Sequence, residues 1–355
     1  MILSRLVRPC LGLGPLAALI AVLGLGALAS AISASAAMAS AGAGRSALGY
    51  EGIPRVGHVF VIIGENTDYD HLNTTNAPYL ESTLRPRSAW LANYYAATHW
   101  SQANYVALVT GQFTRCEQQD GGIACHQNID NLYHQLDLLG TGWKVWLEAG
   151  TAKCDTGSGG SCTSDSACPL SGFYTTGNPP TQLDDIEGPG GVFSATTPSS
   201  ECAANDVPAG TQSDGMSTFN ADLLTGNVPA FNTVIPNGCD DGEANCKPVN
   251  DRYTQFDDFL AREVPKIESS PAFGDVSVII ILYDEDQRAG GVQPANVLDQ
   301  GGHTVCAVIS PLVVPAESAT RTYSYSVLRT LQDGFGAFPY LGYANQVSPL
   351  PVTWK

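Results

Sequence analysis

Five short runs of the chain are apolar throughout, and each is bounded by polar or turn-forming residues. Runs of this length without alternation are typical of strands covered on both faces, and therefore of a largely parallel sheet. Between them, apolar residues recur every three or four positions, which predicts helices. This succession predicts an α/β fold, with a doubly wound, mostly parallel sheet and helices on both faces. The predicted strands span residues 58–63, 143–149, 230–235, 276–283 and 304–310.

Residues 150–215 break this pattern, since they are rich in Gly, Ser, Thr, Pro and Cys and have little periodicity. We expect an irregular, disulfide-rich insertion over one end of the sheet. Long loops of this kind either serve a function or are merely tolerated. A lid and a plain surface loop therefore both stay open.

The N-terminus has the layout of a secretory signal, with Arg5 and Arg8 before a long Leu/Ala/Gly run. Ala34-Ser35-Ala36 fits a cleavage site. We therefore expect a signal peptide at 1–36, a flexible linker at 37–54 and a single domain at 55–355, with the mature protein secreted or extracytoplasmic. An uncleaved N-terminal membrane anchor is the alternative, because the apolar run approaches the length that spans a bilayer.

Nine of the ten cysteines follow the predicted signal peptide. In an exported protein they predict disulfides, and the odd count leaves one thiol over. Cys306 is the candidate free thiol because it lies in the apolar run "TVCAVIS". Zinc ligation is the competing interpretation, but the chain has no CxxC pair. Short loops would be closed by Cys116 with Cys125 and by Cys239 with Cys246, leaving Cys154, Cys162, Cys168 and Cys202 in the insertion.

Composition narrows the class of partner. With 44% hydrophobic and 14% charged residues the chain is that of a globular protein. Its formal net charge of −17 argues against a nucleic-acid partner, whose phosphates would be repelled.

Three predicted strands run directly into acidic or amide residues. Ligands of an open parallel sheet lie beyond the carboxyl ends of its strands. Carboxylates gathered there repel one another unless a cation lies among them, so the pattern predicts a divalent metal such as Mg, Ca, Mn or Zn. Solvated turn acids are the alternative for any one pair. The clusters are Glu65 and Asn66; Asn237, Asp240, Asp241 and Glu243; and Asp284, Glu285 and Asp286.

Ser101 lies in "THWSQANYVALVTG", at the predicted start of a helix. Free N–H groups and the positive end of the helix dipole favour a phosphate there. A cation on the Ser101 oxygen would make this hydroxyl a nucleophile, and Asn104, one turn on, could donate to a phosphate oxygen. Serine is also a preferred N-cap, so a purely structural role is the alternative.

Several segments resemble the phosphoesterase family of bacterial acid phosphatases and non-haemolytic phospholipases C, within the alkaline phosphatase superfamily. They are "HVFVIIGENTDYDHL", "THWSQANYVALVTG", "VIIILYDED", "GGHTVCAVISP" and "YSYSVLRTLQDGFGAFPYLG", in matching order from residue 56 to about 346. The resemblance implies an alkaline phosphatase-like fold. It also implies that Ser101 is the nucleophile, that Asn104 and His99 contact phosphate, and that metal is bound by Glu65, Asn66, Asp284 and Glu285.

The chain departs from the family at three positions. Ala103 replaces the proline of the Ser-x-Pro-Asn-Tyr motif, and Glu243 and Ser324 stand where the family has histidines. Both histidines belong to the half of the site that holds a second metal or contacts the phosphate and leaving group. We expect Asp241 and Glu243 to replace the lost donors. His303, in "GGHTV", is the candidate general acid.

The expected function is an exported, metal-dependent phosphoesterase with a small phosphate ester as substrate. A phosphomonoester is favoured over a phospholipase C-like phosphodiester. Membrane contact is expected only for a lipid substrate or an uncleaved anchor. The alternative is a catalytically weakened ligand-binding or cell-surface protein on the same scaffold.

Overall fold

The computed structural model describes residues 49–113, 127–150, 152–154, 177–188, 199–211, 214–287 and 298–355. Its strands are β1 Val59–Gly64, β2 Ala89–Leu91, β3 Tyr94–Tyr95, β4 Trp143–Leu147, β5 Asp206–Pro208, β6 Phe231–Ile235, β7 Val278–Tyr283, β8 His303–Thr304, β9 Cys306–Ile309, β10 Ala316–Ser318 and β11 Thr322–Tyr323. Its helices are α1 Ser101–Thr110, α2 Leu132–Leu138, α3 Asp184–Glu187, α4 Ser200–Asn205, α5 Ser217–Thr225, α6 Arg252–Ser269 and α7 Ser324–Phe335.

Eight of these strands form one sheet in the order β10-β2-β9-β7-β1-β6-β4-β5. All pairs in it are parallel except the two that involve β9. A second sheet of three short strands has the order β11-β3-β8. The predicted α/β fold with a mostly parallel sheet is therefore confirmed, and β7, β1 and β6 lie side by side at its centre.

The sheet separates two apolar cores. Along β1, Val59, Val61 and Ile63 point to one core, whereas Phe60 and Ile62 point to the other. This alternation explains the unbroken apolar run, because both faces of the strand are covered. Side chains of α1, α2 and α7 fill the first core, and those of α5 and α6 fill the second.

Two parts of the chain differ from the predictions. The predicted strand 304–310 is divided between β8, in the small sheet, and β9, which runs antiparallel to β7. β9 pairs with β7 in antiparallel register, from Ile279 with Ile309 to Leu282 with Cys306. The insertion at 150–215 is not irregular throughout, since it contributes α3, α4 and the edge strand β5.

The cysteine pattern is partly described. Cys239 is bridged to Cys246 and Cys306 is a buried free thiol, as predicted. Cys154 is bridged to Cys202 across 48 positions. The predicted Cys116–Cys125 pair, together with Cys162 and Cys168, lies outside the described residues.

The predicted signal peptide also lies outside the described residues. Within the described part of the chain, no helix has the length and apolar character needed to cross a membrane.

Candidate active site

The ends of the three central strands are joined by backbone hydrogen bonds. The Glu65 N–H donates to the Asp241 carbonyl at 2.7 Å, so the segment after β1 is bound to the segment after β6. The Thr67 N–H donates to the Glu285 carbonyl at 2.9 Å, which binds the same segment to the one after β7. The acidic residues predicted to meet at this edge are therefore brought together by the backbone itself.

Asn66 has an unusual backbone conformation at the centre of this edge. Its φ of 46° lies in the left-handed region, which asparagine tolerates better than most residues. Its N–H donates to Asp284 Oδ1 at 3.1 Å, and its side-chain amide donates to Glu243 Oε2 at 2.5 Å. Neighbouring carboxylates thus fix both the backbone and the side chain of Asn66.

Ser101 is the first residue of α1, and its hydroxyl points to the acidic edge of the sheet. Its Oγ lies 3.0 Å from Glu65 Oε2 and 3.2 Å from Glu285 Oε1. The residue before it, Trp100, is the N-cap and makes no side-chain capping bond. The hydroxyl of Ser101 therefore contacts carboxylates and does not act as the predicted alternative, a helix cap.

Burial dominates the electrostatics of this edge. Burial raises the pKa of Glu65 well above its ordinary value, and nearby Asp284 and Glu243 raise it further. Burial, followed by the charge of Glu65, raises the pKa of Asp241. The pKa of Asp284 is raised in the same way by burial and by Glu285. Each carboxyl therefore disfavours the negative charge of the next.

These residues fit a hard divalent cation. Asp284 Oδ2 is buried and has no hydrogen-bond partner among the described residues. The single proton of Ser101 cannot satisfy both of the carboxylates it contacts. Among the described side chains, the buried Arg252 reaches this edge, but its guanidinium donates to the backbone carbonyls of Asn66 and Glu243. A cation bound by oxygen ligands would supply the missing positive charge. This donor set does not select one metal.

His99 lies between two carboxylates, one of which also contacts Ser101. Its Nδ1 lies 3.1 Å from Glu285 Oε2, and its Nε2 lies 3.5 Å from Asp286 Oδ1. Burial lowers the pKa of His99 although the charge of Asp286 opposes this shift. His99 and Ser101 therefore share the Glu285 carboxylate, and the role of His99 as a phosphate donor stays a prediction.

Asn104 is buried and bonded to the segment that leads into α1. Its Oδ1 accepts from the Thr98 N–H at 3.0 Å, and its Nδ2 donates to the Thr98 carbonyl at 2.6 Å. The amide thus clamps the turn before Ser101. The Nδ2 group has a second N–H that could donate to a phosphate oxygen, so the role of Asn104 as a phosphate contact stays a prediction.

His303 lies next to Asp286, at the margin of the acidic edge. Its ring stacks between Tyr69 and Tyr95, with centroids 4.4 Å and 5.1 Å away, and its Nε2 is 3.0 Å from the Ala92 carbonyl. Its backbone N–H donates to Asp286 Oδ2 at 3.2 Å. The predicted general-acid role would require this ring to leave its stack.

Two residues of the site were not singled out by the sequence. The Tyr105 hydroxyl donates to Glu65 Oε1 at 2.6 Å, and Arg252 donates to the Asn66 carbonyl at 2.7 Å. Tyr105 follows Ser101 by four positions, so both side chains lie on one face of α1, and this spacing is a usable signal. Arg252 has no such signal, because it reaches the site across 186 positions.

Comparison with known proteins places this geometry in a family. A probable acid phosphatase from Kluyveromyces lactis is 25% identical over 231 residues, which are 65% of this chain and 48% of that protein. The chain therefore spans about half the length of this curated relative.

Solved structures share the fold at low sequence identity. A protein of the alkaline phosphatase superfamily from Vibrio parahaemolyticus is 12% identical with a TM-score of 0.51, over 83% of this chain and 71% of that one. A Bacteroides thetaiotaomicron protein from work on the metabolism of multiple glycosaminoglycans is 11% identical with a TM-score of 0.53, over 83% and 80%. At these identities the likeness is one of fold alone.

The family comparison covers most of the chain. The model of the Phosphoesterase family matches residues 75–337, a segment that contains Ser101, Asp284 and Glu285 and begins after Glu65 and Asn66. The chain belongs to the Phosphoesterase family.

Proposed function

We propose that this protein is a metal-dependent phosphoesterase in which Ser101 is the nucleophile. The observation that carries the proposal is the position of its hydroxyl, 3.0 Å from Glu65 and 3.2 Å from Glu285 at the start of α1. A serine that only started the helix would have no reason to face two buried carboxylates. The relative from Kluyveromyces lactis, named a probable acid phosphatase, supports the same reaction class.

Glu65, Asn66, Asp284 and Glu285 are the residues that would hold the cation. A bound cation lowers the pKa of the hydroxyl and neutralises the phosphate charge. Ser101 Oγ attacks phosphorus in line, the ester oxygen departs as the alcohol, and a phosphoserine forms. Water then cleaves the phosphorus–Oγ bond and releases phosphate.

The other side chains orient these groups. Tyr105 holds the Glu65 carboxylate, and Asn104 holds the turn that leads into α1. The N-terminal N–H groups of α1 stabilise the charge that develops on the phosphoryl oxygens. His99 lies beside Glu285 and would donate to the phosphate, as the family resemblance implies.

The proposed substrate is a small phosphomonoester, with a phosphodiester such as a phospholipid headgroup second. Export is proposed from the signal-like leader at 1–36.

A catalytically weakened binding protein is the second candidate. It is favoured by one observation at a position where the family has histidine. The Ser324 hydroxyl is buried there without a hydrogen-bond partner among the described residues, so it does not replace the lost ring.

The test is turnover of a chromogenic phosphomonoester and of a bis-aryl phosphodiester by the full chain, with chelation and metal replacement. We expect Ser101→Ala and Asp284→Ala to lose several orders of magnitude in kcat, because the nucleophile and a cation ligand are removed. The matched control is Ser270→Ala. Ser270 is also buried, but its hydroxyl bonds the Leu223 carbonyl, and its loss should leave kcat unchanged.

Each possible result separates the candidates. Faster turnover of the monoester supports the phosphatase, and faster turnover of the diester supports the phospholipase C-like enzyme. Turnover that survives both site substitutions would contradict the assigned site. Metal-dependent phosphate binding without turnover would favour the weakened binding protein.

A further inference from the structure

Glu187 is a buried acid outside the candidate active site. Glu187 ends α3, its side chain is 5% exposed, and both carboxylate oxygens lack a hydrogen-bond partner within the described ranges. An isolated buried carboxyl is costly unless something bonds to it. Neither oxygen bonds to a described residue of the candidate active site, so that site does not explain it.

Two sulfurs lie close to the Glu187 carboxylate. One oxygen of Glu187 and the Sγ atoms of Cys154 and Cys202 all lie within 4.8 Å of one another, and all three residues are buried. The sulfurs form a disulfide, which is at best a weak acceptor and offers the carboxyl no donor.

A second buried carboxylate lies beside Cys202. Asp206 is fully buried, and its Oδ2 lies 3.8 Å from Cys202 Sγ. The Asp206 carbonyl also accepts from the Cys154 N–H at 3.0 Å, which holds the two segments together. Asp206 therefore borders the group formed by the two sulfurs and the Glu187 oxygen, and its Oδ2 also accepts from Asn178 Nδ2 at 2.7 Å.

We propose that, when the Cys154–Cys202 disulfide is reduced, these two cysteines bind a divalent cation of the zinc class together with Glu187. Two thiolates and one carboxylate oxygen supply three ligands, zinc accepts both ligand types, and a water would complete the four-coordinate set. The Zn–S and Zn–O bonds are about 2.3 Å and about 2.1 Å, which places neighbouring ligand atoms roughly 3.5 Å apart. After reduction the two sulfurs must move apart, whereas the Glu187 oxygen, which lies within 4.8 Å of both, must approach them by at most about 1.3 Å.

The exchange balances with a dithiol as reductant. The dithiol supplies two electrons and two protons, the S–S bond breaks, two thiols form, and the dithiol becomes a cyclic disulfide. Binding of the cation then releases the two thiol protons, together with any proton held by Glu187. The proposal does not depend on the proposed phosphoesterase function, because none of its ligands belongs to that site.

The experiment compares the full-length wild type with Glu187→Gln, which has the same number of thiols. Both are purified throughout in a dithiol, checked by thiol counting, freed of reductant anaerobically and titrated with Co²⁺. The signal is the thiolate-to-cobalt charge-transfer absorption, and Zn²⁺ affinity follows by competition. We expect the wild type to bind at least about tenfold more tightly than Glu187→Gln, since a ligand is lost.

Two further samples keep the result decisive. Air-oxidised wild type should lack this site, and Cys154→Ser/Cys202→Ser should lack it after reduction, with circular dichroism reporting whether the variant is folded. Equal titrations of wild type and Glu187→Gln would overturn the proposal. An equal signal from the oxidised wild type would also overturn the proposal, and this comparison requires no substitution.

Discussion

Replacing Tyr105 by phenylalanine would remove one hydrogen bond from the site and little else. The hydroxyl donates to Glu65 Oε1 at 2.6 Å, and the two side chains are 1% and 4% exposed. The phenylalanine ring would stay in the apolar core against which α1 packs, so the packing is kept. The carboxylate that faces Ser101 would lose the group that fixes its orientation.

The expected magnitude follows from the charge and burial of this bond. A hydrogen bond to a charged group contributes about 1.5–3 kcal/mol. If the whole of it is used in the transition state, kcat/KM falls by about tenfold to 150-fold, because 1.4 kcal/mol corresponds to tenfold. The Tyr105 bond also lowers the pKa of Glu65, so its loss raises that pKa further.

The assay is kcat/KM on a chromogenic phosphomonoester, with urea unfolding measured in parallel. Tyr340→Phe is the matched control, because the Tyr340 hydroxyl also donates to a carboxylate, that of Asp333, away from the site. Both variants should lose stability, whereas only Tyr105→Phe should lose activity. Unchanged kcat/KM in Tyr105→Phe, or an equal loss in both variants, would refute the reasoning.

Two further predictions concern Arg252 and Glu187. Arg252→Gln should lower kcat/KM by about tenfold or more, because the guanidinium donates to the Asn66 carbonyl at 2.7 Å and holds Asn66 in its left-handed conformation. The control is Arg329→Lys, at a remote arginine that also donates to a backbone carbonyl. Burial raises the pKa of Glu187 from 4.5 to about 8, so the folded state holds this proton more tightly than the unfolded state. Its contribution to the free energy of unfolding is complete below pH 4.5 and is lost as the pH rises through 8. Urea unfolding across this range should be less pH-dependent in Glu187→Gln, and equal slopes would contradict the prediction.

The sequence predicts the centre of the fold well, because its signals are local. The apolar run at 58–63 corresponds to β1, Val59–Gly64, and the acids that follow β1, β6 and β7 meet because these strands are neighbours. Continuous apolarity and the position of strand ends suffice for both predictions.

The rest depends on contacts between distant positions. The direction of β9 depends on how the chain returns from β7, and the apolar residues of the run at 304–310 do not encode that direction. The stack around His303 joins Tyr69 and Tyr95 across more than 200 positions of the chain, and Arg252 reaches Asn66 across 186. Such pairs leave no periodic or spacing signal in a single sequence.

The left-handed backbone of Asn66 restricts which residues this position can accept. Glycine would keep the conformation but lose the amide that bonds Glu243. Aspartate would tolerate the conformation but add a negative charge to an already acidic edge. Most other residues would strain the backbone. Two independent requirements, one conformational and one chemical, therefore select the same residue, and a divergent copy of this gene that replaces Asn66 would lose at least one of them.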